Sequence, residues 1–127
     1  MSDHSLRLDH IGLRVTNLQR STLFYTAALE PLGMCLLGES SKHAAFGIGS
    51  MPYLSIRLAE RVAGPTHVAF LAESHAQVDA FYLAGISAGG TDGGVPGLRP
   101  DYHEHYYGAF VLDPDGHNIE LVKHTPV

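Results

Sequence analysis

The amino-acid sequence predicts an α+β fold, two tandem βαβββ modules forming paired curved mixed sheets around a shared cleft. Three observations lead there. Laying residue 10 on residue 67 and keeping that offset matches His10 with His67, Phe24 with Phe81, Tyr25 with Tyr82, Ala27 with Ala84 and Gly33 with Gly90. Each copy opens with a segment of alternating polarity, which reads as a strand, and continues with apolar residues at helical spacing. Short apolar runs separated by Gly, Ser and Pro then close each copy as further strands.

In the first strand Leu8, His10 and Gly12 point one way while Ile11, Leu13 and Val15 point the other, and His67 alternates likewise with Val68 and Phe70. Asn17 suits the cap of a helix running to about Leu29, with Leu18, Leu23, Phe24, Ala27 and Ala28 along it, and Pro31 and Gly33 end it. Ser74 starts the matching helix, which carries Val78, Phe81, Tyr82 and Gly85. Strands are expected near 34–37, 44–48 and 53–58 in the first copy. In the second they fall near 91–96, a weak one, then 107–112 and 118–123, with Asp113-Pro114-Asp115-Gly116 as a hairpin turn. Module 1 spans about 6–60 and module 2 about 66–124. The Gly64-Pro65 link is too short to separate independent units, so residues 1–127 form one domain. A helix covers one face of each sheet, and the free faces enclose the cleft.

A chain of 127 residues that is 45% apolar fills a core without disulfides, and its one cysteine, Cys35, reads as a small buried hydrophobe. Lys and Arg number 8 against 13 Asp and Glu, and the formal charge of −5 offers no basic field for nucleic acid. No run approaches the ~20 apolar residues of a membrane span and no leader pattern opens the chain, so the expected location is the cytoplasm.

Nine histidines are the unusual count. His10 and His67 occupy the same repeat position, out of phase with the helix-facing set, and so project into the cleft from equivalent places. On the last strand Glu120 shares a face with Asn118 and Val122, opposite Ile119 and Leu121. Two imidazoles and a carboxylate can hold one divalent metal ion, with positions left open for water or an oxygen substrate. Zinc, iron, manganese, nickel and cobalt all suit that set. The competing reading makes the histidines pocket lining and Glu120 an exposed charge on an edge strand. A second concentration, Tyr102-His103-Glu104-His105-Tyr106-Tyr107, offers His103 or His105 as acid or base and Tyr102 or Tyr107 as a hydrogen-bond donor, with Arg99 as a substrate anchor. The catalytic candidates are His103, His105 and Tyr107. Arg14 and Arg57 could reach an acidic substrate. The glycines at 89, 90, 93, 94 and 97 do not match a phosphate-cradling loop.

The segments Leu8-Asp9-His10-Ile11-Gly12-Leu13-Arg14-Val15, Thr66-His67-Val68-Ala69-Phe70 and 110–120, with Asp-Pro-Asp-Gly before the glutamate, resemble the vicinal oxygen chelate superfamily of glyoxalases, bleomycin-resistance proteins and extradiol dioxygenases. The resemblance runs over nearly the whole chain. It implies metal ligands at His10, His67 and Glu120, paired modules and a homodimer. The chain departs from glyoxalase I where the first-half counterpart of Glu120 falls near Ser55, leaving no second carboxylate. That absence argues against the glutathione-hemithioacetal reaction, while the three retained ligands make a divalent-metal-dependent lyase or isomerase acting on a small oxygen-bearing molecule the leading expectation. The alternatives are a short extradiol-type dioxygenase, a metal-free protein sequestering a drug or metabolite, and a structural dimer subunit.

Overall fold

The computed structural model describes residues 8–126, so residues 6 and 7 of the first module and both chain ends lie outside the described residues. The elements run β1 (Ile11–Val15), α1 (Leu18–Leu29), a 3-10 turn (Glu30–Leu32), β2 (Cys35–Glu39), β3 (His43–Ile48), β4 (Met51–Leu58), β5 (His67–Leu71), α2 (His75–Ser87), β6 (Thr91–Leu98), β7 (Tyr107–Leu112) and β8 (Asn118–Lys123). Two four-stranded mixed sheets result, ordered β1-β4-β3-β2 and β5-β8-β7-β6. The first strand of each module pairs parallel with the last, and the remaining pairs are antiparallel. The duplication is thus a real βαβββ repeat.

Local chemistry sets the boundaries. The Asn17 side chain accepts from Arg20 N and the Ser74 side chain from Gln77 N, so each helix begins with one of its orphan donors satisfied. The two repeated glycines are needed for different reasons. Gly33 ends the 3-10 turn at φ 80°, a left-handed conformation that disfavours a Cβ. At Gly90 a Cβ would sit 2.5 Å from Val111 Cγ1 and 2.7 Å from Phe24 Cε1, so a side chain there would push α1 away from the second module. Cys35 differs from its expected burial: it is exposed, because β2 is an edge strand.

Each helix packs on its own sheet and the two helices pack on each other. One apolar core results, joining Val15, Phe24, Tyr25, Phe46 and Ile56 of the first module to Val78, Phe81, Val111, Ile119 and Leu121 of the second. Among the described residues no helix is long and apolar enough to cross a membrane.

The modules are also tied by a buried polar cluster at the β7–β8 turn. Tyr25 OH donates to Asp113 Oδ2 at 2.6 Å, and the backbone N–H groups of Asp115 and His117 donate to Asp113 Oδ1. His117 Nδ1 accepts from Thr66 N at 2.9 Å, which leaves its Nε2–H to donate to Arg14 O at 2.8 Å. Burial, followed by the Asp113 charge and hydrogen bond, pushes the Tyr25 phenol well above the usual tyrosine range.

Tyr25→Phe strips a donor from a buried carboxylate, and a hydrogen bond of this charged type contributes about 1.5–3 kcal/mol. The urea midpoint should fall by the matching amount with no change in slope. An unaltered midpoint would show that this contact does not secure the modules to each other.

Candidate functional site

The exposed face of the second sheet is where sequence and structure bring candidate ligands together. Register fixes which side chains share it: His67 lies opposite Asn118, and Ala69 opposite Glu120, which in turn faces Phe110 on β7. β8 runs between β5 and β7 and is an interior strand, so Glu120 is not an edge charge. It is only 2% exposed, and a buried carboxylate requires partners. Tyr106 OH donates to its Oε2, and His67 Nε2 stands 3.0 Å from its Oε1. Gly108 makes room for this arrangement, since a Cβ there would meet Tyr106 Cε1 at 3.2 Å and Glu120 Oε2 at 3.3 Å.

The hydrogen bonds around His67 define what that close approach means. Its Nδ1 is 3.1 Å from the Asn118 carbonyl oxygen, which can only accept, so Nδ1 carries the proton. With Nδ1 so engaged, Nε2 is the nitrogen turned toward a carboxylate oxygen. Two electron-pair donors at 3.0 Å repel unless a proton or a metal ion lies between them. Asn118 Oδ1, on the register partner of His67, is buried without a hydrogen-bond partner among the described residues. An imidazole oriented by a backbone carbonyl, beside a hydrogen-bonded carboxylate, is a donor set that suits a divalent ion.

Aromatic groups flank the pair. Phe110 stacks near the His67 ring with centroids 6.1 Å apart, and the Arg99 guanidinium lies 5.5 Å from the Phe110 centroid. Arg99 also donates to the carbonyls of Gly97 and Val95, which ties down the glycine-rich strand β6. Tyr102 packs edge-on against Tyr106. Burial, then the bond to Glu120, pushes the Tyr106 phenol above its ordinary range, so it stays a neutral donor.

The other sequence candidates are spread out. His103 faces Tyr106 edge-on and lies 3.0 Å from His124, while its Nδ1 accepts from His105 N. His105 pairs with exposed Glu104 at 2.9 Å. Tyr107 points to the helix side of the sheet, stacked on His75 with its hydroxyl donating to Asp79 at 2.6 Å. Tyr106, absent from the catalytic candidates, is the residue that touches Glu120. It is adjacent to Tyr107, and successive strand residues face opposite ways.

His10 stands apart from His67 and Glu120. Its side chain is 61% exposed and bonds Asp9 at 2.6 Å. It lines a groove of about 420 Å³ between the start of β1 and β5, with Ile11, Tyr53, Phe70, Leu71 and Gln77 among the walls. Among the described residues, no three His, Cys, Asp or Glu side chains converge within the one chain. Ser55 lies opposite Gly12, just as Glu120 lies opposite Ala69, which makes Ser55 the structural counterpart of Glu120.

The family model of the Glyoxalase/Bleomycin resistance protein/Dioxygenase superfamily matches residues 7–121. The chain belongs to this superfamily. A glyoxalase/bleomycin resistance protein from Albidiferax ferrireducens T118 is 28% identical, with 92% of this chain and 98% of that one aligned at a TM-score of 0.76. The fosfomycin resistance protein FosX from Mesorhizobium loti is 21% identical, covering 98% and 95% at a TM-score of 0.69. Lactoylglutathione lyase from Agrobacterium tumefaciens is 16% identical, covering 95% and 96% at a TM-score of 0.69. These last two likenesses show the fold alone. No curated protein matches the sequence. Superfamily members commonly use a divalent metal ion, bind small molecules and often dimerise.

The bond to Asp79, with burial second, pushes the Tyr107 phenol up to about 12. Below pH ~10 the tyrosine is protonated both folded and unfolded, so its contribution to stability is complete there. Above that pH the unfolded chain ionises first, and stability declines until the folded phenol titrates near 12. Denaturation midpoints should therefore drop between pH 10 and 12, and Tyr107→Phe should make that decline shallower. Tyr25 and Tyr106 are shifted in the same sense, so part of the slope will persist.

Proposed function

We propose that this chain is a divalent-metal-dependent lyase or isomerase acting on a small oxygen-bearing substrate, with the ion held by His67 and Glu120 of one chain and His10 of a second copy. The observation that carries this reading is the buried Glu120 carboxylate with His67 Nε2 3.0 Å from its Oε1. With Ser55 in place of a second carboxylate, the ligand set is two imidazoles and one carboxylate, which leaves coordination positions for substrate oxygens. When bound, the ion would polarise a carbonyl or enediolate oxygen.

The chain's own residues prepare the site. The Asn118 carbonyl sets the His67 tautomer, and Tyr106 occupies Oε2 of Glu120 so that Oε1 remains toward His67. Phe110 packs beside His67 and Tyr106 against Glu120, while the His67 side chain stays half exposed and open to a substrate. The role of the second copy rests on His10: it is exposed, it is not beside the other ligands, and it adjoins β1, a sheet-edge strand with one side unpaired among the described residues. An isologous dimer in which each copy lends His10 to the other would make two equal sites.

Elemental analysis of tag-free protein purified without chelator tests the reading. Wild type should hold near-stoichiometric, chelator-resistant metal, and His10→Ala and His67→Ala should each lose it. Mixing the two variants under conditions of subunit exchange distinguishes a shared site from one within a chain. Half the dimers become mixed and each has one intact site of two, so about a quarter of the wild-type metal returns. No recovery would overturn the shared site. A wild type without metal after reconstitution with zinc, iron, manganese, nickel and cobalt would leave the metal-free binding reading.

A further inference from the structure

The first sheet has an exposed face of a different character. Cross-strand register places Arg14 of β1 opposite Arg57 of β4, and Arg57 opposite His43 of β3, so the three side chains form one row. Beside it runs a second row, Gly12, Ser55, Ala45 and Gly38, one small residue from each strand of the sheet. The pattern is a trough with a floor of small residues and a cationic wall. Tyr53 and His10 stand on its other side, where they also line the groove.

No carboxylate belongs to either row. Among the described residues neither Arg14 nor Arg57 forms an ion pair, although the chain has an excess of acidic residues. Arg20 and Arg99, in contrast, have hydrogen-bond partners. Like charges directly opposite on neighbouring strands destabilise a sheet, so among the described residues the row has an uncompensated electrostatic cost. A bound anion removes that cost. Two guanidinium forks present paired N–H donors that match the oxygens of a carboxylate or phosphate, and His43 adds a further donor.

We infer that the Arg14–Arg57–His43 row is the anion subsite of this protein, and that its ligand is a small molecule with a carboxylate or phosphate group at one end. Arg14 lies four residue steps of extended chain from His10, about 13 Å. A ligand held at the arginines therefore extends along the trough toward His10. That its other end meets a metal ion rests on the function proposed above; the anion subsite does not.

The test uses metal-free, full-length protein, with inorganic phosphate and succinate as separate probes, followed through the arginine side-chain Nε–H resonances. Saturable shifts at Arg14 and Arg57 are expected. Arg57→Gln and Arg14→Gln should each weaken binding by about tenfold or more, and Arg57→Lys should fall between wild type and Gln because it keeps the charge and loses the fork. Arg20→Gln makes the same change in net charge on α1 and should bind as wild type does. Native amide dispersion in each variant shows that it is folded. Saturation by phosphate alone assigns a phosphate-bearing ligand, by succinate alone a carboxylate, and by both an anion site open to either. Shifts that stay linear for both probes, or that persist in the Arg57 and Arg14 variants, would overturn the inference. His67→Ala should retain anion binding, so loss of the metal centre and loss of the anion subsite register separately.

Discussion

The arrangement of the two modules depends on how one turn buries its charge. Asp113 lies inside the molecule, and its carboxylate is stable there only because Tyr25 and two backbone N–H groups point at it. Those same bonds hold the turn in the shape that inserts His117 between the end of β1 and the residue before β5. One ring, donating to Arg14 O and accepting from Thr66 N, sets the separation of strands from different modules. Thr16 strengthens this tie from the same side, because both its backbone and its hydroxyl donate to Asp115.

The candidate centre reuses the principle at a second carboxylate. Glu120 is buried on an interior strand, but its partners are a phenol and an imidazole instead of a turn's backbone. Asp113 has every oxygen accounted for and serves packing. Glu120 has one oxygen turned to an imidazole whose side chain is half exposed, so this carboxylate, unlike Asp113, can be reached from outside.

Much of the fold was legible because the repeat and the turn chemistry agree. β7 and β8 fall on the residues expected, since Asp-Pro-Asp-Gly fixes the end of one and the start of the other. β6 is longer than its weak pattern suggested, because its glycines and Pro96 hide the alternation and its pairing with β7 shifts register twice. In the site, alternation along β5 and β8 was enough to place His67 and Glu120 on one face. It could not assign Tyr106 and Tyr107, because a polar loop leads into that strand and an error of one residue exchanges the faces. The place of His10 was not legible either, since periodicity orients a side chain on its own strand but says nothing of how two modules dock.

The duplication left two halves that share a backbone and differ at one informative place. Where the second half has Glu120 opposite Ala69, the first has Ser55 opposite Gly12, among small residues next to a row of cations. The copies have therefore diverged past interchangeability. Substitutions along the first sheet's exposed face touch neither the His67–Glu120 contact nor the strands that carry it, so the cationic row and the buried carboxylate can change independently. A doubled gene whose halves mutate under separate constraints gives one scaffold many descendants.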